Sequence, residues 1–308
     1  MENKEEALNI TNQYIETLLT KLEEVYDVKT FKIIDLPKLP QKASNINYAK
    51  DILIALIIGV IIDGVYIMLV LCFRGITNIF EIEEKLKIKA LGNVDLEKAK
   101  NKKEISYTTK NENIINQLKR IQANLMLDKD NKKPQTILLT GTKKGEGTSY
   151  ITNNLAIQFG KLYSNILVID TDMEDKTLTN FMAKKESEGL TDIVKTNNVK
   201  DIGKLVQKTK NENVSILPVG NARVGEEIFL TETISNIIED LKEKYDVILI
   251  DSKSINENIL PIRLASITDA TIIISEEGKT KQEDILKAKI EIENVGGKIA
   301  GIILNKTI

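Results

Sequence analysis

Three stretches of this 308-residue chain carry residue types whose spacing could do chemistry. The first runs from Thr136 to Phe159, TILLTGTKKGEGTSYITNNLAIQF. Ile137, Leu138 and Leu139 form an apolar run of strand type, and Gly141, Gly145 and Gly147 punctuate a loop. Thr148 and Ser149 then open a helix whose apolar face is Ile151, Leu155, Ile157 and Phe159. A strand that feeds a glycine loop at a helix N-terminus points free N–H groups and the positive end of the helix dipole at one spot, which favours an anion. The phosphate-binding motif places Gly-Lys-Ser/Thr at the helix start. Here that tripeptide is Gly147-Thr148-Ser149, so the loop is present and its lysine is not. The other two stretches are apolar runs ending in acids, ILVIDTD with Asp170 and Asp172, and YDVILID with Asp251. Ligands of open α/β sheets bind outside the carboxyl ends of the strands. A hard cation such as Mg²⁺ takes oxygen ligands plus substrate phosphates. Asp170, Asp172, Asp251 and the Ser149 hydroxyl are therefore expected to converge where the loop holds phosphate.

Composition removes other chemistries. The chain has no histidine, which excludes a His-based triad, an imidazole metal site and a His acid–base pair. Its single cysteine, Cys72, excludes an internal disulfide and a Cys-cluster metal site, and its apolar surroundings suit packing. A formal net charge of −2 argues against a broad nucleic-acid footprint.

The elements that must position these residues follow in order. Residues 1–30 carry an apolar stripe at helical spacing, Leu8, Ile15, Leu18, Leu19, Leu22 and Val25, on an amphipathic helix whose polar face mixes Glu with Lys. Pro37 and Pro40 then imply an extended connector. Ile52 to Phe73 is ILIALIIGVIIDGVYIMLVLCF, with one charged residue. At about 1.5 Å per residue it spans a bilayer core of about 30 Å, and it begins too far from Met1 to be a signal peptide. Asp63, within it, is either a polar contact in an assembly or a tolerated charge in a segment otherwise apolar enough to insert. Lys38, Lys42 and Lys50 precede the span and Arg74, Lys85, Lys87 and Lys89 follow it, a small bias for the C-terminal side being inside. The phosphate loop places that side in the cytoplasm. Residues 74–113 read as a juxtamembrane segment: ITNIFEIEEKLKIKALGNV as a short helix ending near Gly92, then a charged linker. Lys98, Lys100, Lys102 and Lys103 in that linker, diluted by Glu97 and Glu104, suit a solvated connector better than a lipid contact. Asn113 to Leu127 is helical through Ile114, Leu118, Ile121 and Leu125.

From Thr136 onward strands and helices alternate, with apolar runs at Ile137–Thr140, Ile166–Ile169, Val214–Val219, Val247–Ile250, Thr271–Ser275 and Ile299–Leu304. That alternation predicts an α/β fold, a mostly parallel sheet with helices on both faces, preceded by one transmembrane helix.

With these stretches in place, the sequence resembles the bacterial tyrosine kinases of capsular and exopolysaccharide synthesis, P-loop proteins related to the MinD/ParA group. ILLTGTKKGEGTSYITNNLA matches their phosphate loop, ILVIDTDME their second aspartate motif and YDVILIDS their Walker B strand. GLTDIV at 189–194, ILPVGN at 216–221 and AGIILNK at 300–306 follow in order. The proline approach, the span and TNIFEIEEKLKIKALGNV resemble the C-terminal end of a Wzz-type chain-length determinant. The rest of a Wzz-type protein lacks a counterpart, as expected of a truncated or split member. The implied domains are an extracytoplasmic helix and connector over 1–50, a transmembrane helix over 51–73, the juxtamembrane segment over 74–113 and a cytoplasmic P-loop kinase-like domain over 114–308.

The resemblance implies ATP or ADP with Mg²⁺ as cofactor. Asp170 and Asp172 would hold the metal and help activate the acceptor hydroxyl, Asp251 would support the metal and Ser149 would ligate it. The backbone of Gly145, Glu146 and Gly147 would wrap the β-phosphate, beside Thr148, and Asn305 would sit near the base. Several positions depart from the family pattern. Thr148 replaces the lysine, Glu174 stands where a basic residue is usual, and the Walker B strand continues Ser-Lys-Ser instead of Thr-Pro-Pro. Asn116, Lys119 and Gln122 stand in the Glu-x-x-Arg-x-x-Arg assembly motif, so homo-oligomerisation stays open. The last tyrosine is Tyr245, where the family carries a tyrosine-rich tail. Lys143 falls at the second, signature lysine of MinD/ParA proteins and would restore part of the charge; the alternative is that Lys143 and Lys144 are exposed loop lysines. The expectation is a single-pass cell-membrane protein, kinase-like and catalytically degenerate, that regulates polysaccharide chain length or export. Its partners would be polymerase, export or chain-length proteins and the membrane, with no nucleic acid. The competing expectations are an active tyrosine autokinase and a MinD/ParA-like ATPase switch.

Overall fold

The computed structural model describes residues 4–26, 33–38, 48–73, 75–76, 78–97, 107–126, 133–184, 188–196, 202–225, 229 and 232–307. Pro40, Lys42, Arg74, Lys98, Lys100, Lys102 and Lys103, on which expectations were placed, lie outside these residues, as does the side chain of Cys72. The chain divides into two units, Met1–Leu71 and Cys72–Ile308.

The first unit is helical. α1 spans Lys4–Tyr26, and its half-buried positions Leu8, Asn12, Ile15, Leu19 and Leu22 recur at three- and four-residue steps, the spacing of one helical face. α2 spans Tyr48–Phe73, and its side chains from Tyr48 to Leu69 are exposed all round. An apolar helix with no polar face suits lipid, and Tyr48–Leu69 is long and apolar enough to cross a membrane.

The second unit is built on an eight-stranded sheet among the described residues, in the order β1-β8-β7-β2-β6-β3-β5-β4. The strands are β1 Ala90–Asp95, β2 Thr136–Gly141, β3 Ile166–Asp170, β4 Gln207–Lys208, β5 Val214–Leu217, β6 Val247–Asp251, β7 Ala270–Glu276 and β8 Ile299–Thr307. All neighbours pair in parallel except β4 with β5. β2, β3, β6 and β7 are buried along their whole lengths. That burial on both faces is why they read as unbroken apolar runs. Alternate side chains feed two cores. Leu138, Leu167, Ile248 and Ile273 join one with the helices that follow the short α6 (Thr177–Met182), α7 (Leu190–Thr196) and α8 (Ile202–Leu205), namely α9 (Glu232–Lys242), α10 (Leu260–Ala265) and α11 (Gln282–Asn294). Ile137, Leu139, Val168, Leu249 and Ile272 join the other with α4 (Glu112–Met126) and α5 (Thr148–Phe159). The expected α/β class holds.

One segment differs from its expectation. The helix thought to end near Gly92 is a short turn, α3 (Ile79–Glu81), running into a π-helical turn over Ile82–Leu86. Lys87 stops it in the left-handed conformation, and β1 follows. Asn78 Oδ1 caps the start by accepting from Phe80 N at 3.0 Å. β1 pairs with β8, whose Ile302 N donates to Lys89 O at 2.9 Å. The two strands come this close because residue 301 is glycine; a Cβ there would lie 2.5 Å from Lys89 O. Gln117 exchanges two hydrogen bonds with Asp95, fixing α4 over the added strand. Residues 90–95, read as juxtamembrane from sequence, thus lie in the sheet.

Candidate nucleotide site

At the carboxyl ends of β2, β3 and β6 lies a cavity of about 1190 Å³, with Gly145, Gly147, Thr148, Ser149, Asp172, Ser252, Lys253 and Asn305 in its wall. The loop between β2 and α5 forms one side. Gly147 is the N-cap of α5, with φ 92, and no side chain caps that end among the described residues. The first N–H groups of α5 therefore face the cavity as anion donors. Gly147 cannot be exchanged cheaply, because its φ lies in the left-handed region that side chains rarely adopt. Asn305 Nδ2 donates to Glu146 O at 2.8 Å, and Lys306 Nζ donates to Gly145 O at 2.7 Å. Both residues sit at the end of β8 and pin the loop from behind.

Glu146 contributes more than backbone. Its buried carboxylate accepts from Thr142 N, Thr142 Oγ1, Lys143 N and Thr280 Oγ1, folding the loop upon itself. Burial pushes this carboxyl above its usual range, against the hydrogen bonds that pull it down. The sequence pointed to the Glu146 backbone and missed the side chain, as it missed Lys306.

The strand ends form the other side. Asp170 and Asp251 are register partners on adjacent strands, and both are buried. Ser149 Oγ donates to Asp251 Oδ2 at 2.7 Å, and Thr152 Oγ1 lies 3.0 Å from Oδ1. Asp170 accepts from Asp172 N at 3.1 Å and Thr179 N at 2.7 Å. Burial raises the Asp170 carboxyl to about 6, and burial together with the Asp170 charge holds Asp251 well above the ordinary range. Asp172 accepts from Glu174 N and Asp175 N and reaches the cavity.

These groups fit a nucleotide with Mg²⁺. No three acidic side chains close on one point among the described residues. A cation would therefore be held by one or two carboxylates, the Ser149 hydroxyl and ligand phosphates, which is how Mg²⁺ is usually bound. Ser252 Oγ, buried and lining the cavity, has no hydrogen-bond partner among the described residues, as expected of a group awaiting a ligand.

The two loop lysines are both paired. Lys143 Nζ lies 2.6 Å from Asp284 Oδ2, and Lys144 Nζ lies 2.7 Å from Asp175 Oδ2. The Asp284 hydrogen bond raises the Lys143 pKa. Lys253, on the loop after Asp251, has a side chain only 12% exposed, and its Nζ lies 3.0 Å from Glu174 Oε1. In α4, Asn116 and Lys119 are exposed and Gln122 is buried.

Known proteins resemble this chain in sequence and in fold. The tyrosine-protein kinase CpsD of Streptococcus agalactiae is 29% identical over 177 residues, 57% of this chain and 76% of that protein. The putative tyrosine-protein kinase CapB of Staphylococcus aureus is 25% identical over 187 residues, 60% of this chain and 81% of its own length. Among solved structures, the kinase domain of the Escherichia coli tyrosine kinase ETK superposes with a TM-score of 0.65 at 13% identity, covering 73% of this chain and 92% of that one. That match shows a shared fold. The resemblance to bacterial tyrosine kinases therefore extends beyond the quoted motifs to most of the second unit. The AAA domain family matches residues 134–299, more than half of the sequence and inclusive of the loop and all three strand-end acids, and the chain belongs to that family.

Proposed function

We propose that this protein is a membrane-anchored, nucleotide-binding module of the tyrosine-kinase type that works in capsular or exopolysaccharide biosynthesis, with phosphoryl transfer much reduced. The observation that carries this reading is the cavity itself. An uncapped helix N-terminus and a glycine loop border it, Ser149 reaches Asp251, whose register partner Asp170 is buried beside it, and Thr148 stands where a phosphate lysine is expected.

The backbone of residues 145–149 would cradle the phosphates. Ser149 and Asp251 would hold Mg²⁺, which supplies charge neutralisation across the phosphate oxygens, with Asp170 in support. Asp172, at the cavity surface, would orient an incoming hydroxyl and take its proton. Thr148 offers a hydroxyl and no charge. The loss of one preorganised charge stabiliser is worth about 10²–10³ in rate. Such a chain would act chiefly through what it docks upon, with polymerase, export or chain-length proteins as partners and α2 as the anchor. The need for nucleotide places the second unit in the cytoplasm, with α1 on the opposite side of the membrane.

The test is transfer of labelled phosphate from ATP to tyrosine by the full-length chain and by Thr148→Lys, each with a co-expressed membrane partner. The expected outcome is little phosphotyrosine from the native chain and at least tenfold more from Thr148→Lys. Strong native phosphotyrosine would favour an active autokinase, and phosphate release without phosphotyrosine would favour an ATPase switch.

A further inference from the structure

We propose that Thr280 is a positioning residue for the phosphate loop, acting through the Glu146 carboxylate. The proposal rests on the nucleotide reading above and names what sets the loop of that same site. Gly145 and Gly147, on either side of Glu146, have φ of 91 and 92, in the left-handed region that glycine adopts freely. The backbone on both sides is permissive, so the course of the loop depends on what holds residue 146. A negative charge behind the loop would by itself repel phosphate, so the contribution of Glu146 is geometric. Its side chain turns inward, leaving the residue 4% exposed, and its carboxylate accepts from Thr142 N, Thr142 Oγ1 and Lys143 N. Those early loop donors are occupied by the chain itself, and the N–H groups at the start of α5 are left to an anion.

The remaining donor comes from a distant part of the chain. Thr280, buried between β7 and α11, donates its Oγ1 hydroxyl to Glu146 Oε1. Thr280 is itself fixed. Its Oγ1 accepts from Glu276 N at 2.8 Å, its N donates to Glu276 O at 3.0 Å, and its carbonyl accepts from Ile76 N at 2.8 Å. Glu276 Oε2 in turn lies 2.8 Å from Lys306 Nζ, which donates to Gly145 O at 2.7 Å. The bonds form a closed circuit, from Gly145 through Lys306, Glu276 and Thr280 back to Glu146. Adjacent residues of the loop are thus clamped from the ends of β7 and β8, which are parallel neighbours in the sheet. The bond from Thr280 ends on a buried carboxylate, which puts it among the stronger hydrogen bonds. Without that hydroxyl the link from β7 to Glu146 is cut, and the loop is held by its own donors and by β8.

The experiment is calorimetric titration of Mg²⁺-ADP and Mg²⁺-AMP into the full-length chain in detergent micelles. The variants are Thr280→Val and Thr280→Ser, each made in the native chain and in Thr148→Lys. Valine keeps the shape of threonine and removes the hydroxyl, whereas serine keeps the hydroxyl. The loop would wrap the β-phosphate, which ADP carries and AMP lacks. Thr280→Val is expected to weaken ADP binding by about tenfold or more, the order set by one hydrogen bond to a charged group. AMP binding should change by less than about threefold, and Thr280→Ser should hold ADP within about threefold of its parent. ADP affinity within about twofold of the parent for Thr280→Val would overturn the proposal. Equal losses of ADP and AMP, or equal losses in Thr280→Val and Thr280→Ser, would overturn it too, since Thr280 would then only support the fold. Each of these results leaves the nucleotide site standing. Absence of ADP binding in both the native chain and Thr148→Lys would remove the nucleotide reading and this inference with it.

Discussion

The two walls of the cavity treat charge in opposite ways. Behind the strand-end wall, Asp170 and Asp251 lie side by side, buried, and held by hydroxyls and backbone N–H groups, with no lysine or arginine among their hydrogen-bond partners in the described residues. On the loop wall, each lysine is tied to an acid of the same chain, and Glu146 folds inward to satisfy loop donors. These two acids thus lack a positive partner that a cation would supply. The loop wall offers an anion backbone N–H groups. In the proposed site the metal half can stand while the lysine of the phosphate half is lost, because the two halves are built by different elements. Asp170 and Asp251 belong to β3 and β6, and their burial is fixed by the sheet.

The largest expected effect comes from breaking the loop wall. Gly147→Val forces a Cβ onto Asn305 Nδ2 at a left-handed φ. It should abolish nucleotide binding and lower stability by about 1–3 kcal/mol, as measured by titration and thermal melting. On the strand-end wall, Asp251→Asn should weaken Mg²⁺-ADP binding by about 10–100-fold, the usual order for a lost metal-site group. It should leave binding of Mg²⁺-free ADP nearly unchanged, so titrations with and without Mg²⁺ separate the two walls.

A smaller effect tests the buried pair by pH. The folded chain raises Asp170 to about 6 and Asp251 also upward, so it retains protons that the unfolded chain releases near pH 4. Their contribution to stability is fully present below about pH 4 and is lost as pH rises through about 6. The melting midpoint of the nucleotide-free protein should therefore carry a component that falls as pH rises from about 4 through about 6, with Asp251 extending the fall upward. Mg²⁺ with ADP should reduce that fall, and Asp251→Asn should flatten it. The smallest effect is expected at Lys143, which is half exposed and engaged by Asp284. Lys143→Ala should change ADP affinity by less than threefold, and a larger loss would mean that this lysine leaves Asp284 to reach phosphate.

Much of the sheet was legible because its central strands are buried on both faces. Ile137–Thr140, Ile166–Ile169 and Val247–Ile250 read as apolar runs for that reason, and the acids after them marked the ligand end. β1 was not legible. It is an edge strand in which Leu91 and Val94 are the buried positions, between Ala90, Gly92, Asn93 and Asp95. The helical spacing of Ile82 and Leu86 just before it extended the apparent helix. β4, two residues long, carries no periodicity. Within the site, types and spacing located Ser149, Asp170, Asp172 and Asp251. The folding back of Glu146, the Lys306 bond to Gly145 and the Lys253–Glu174 pair depend on side-chain directions and on contacts between distant segments. Because β1 belongs to the sheet, a fragment beginning after it would lose an edge strand, and binding is best measured on the whole chain.

The most direct test is calorimetric titration of Mg²⁺-ADP into the full-length protein in detergent micelles, beside Thr148→Lys. The account expects saturable, Mg²⁺-dependent binding at one site per chain in the native protein, and tighter binding in Thr148→Lys. No saturable binding by either protein would contradict it, because the cavity between the two walls would then not be a nucleotide site.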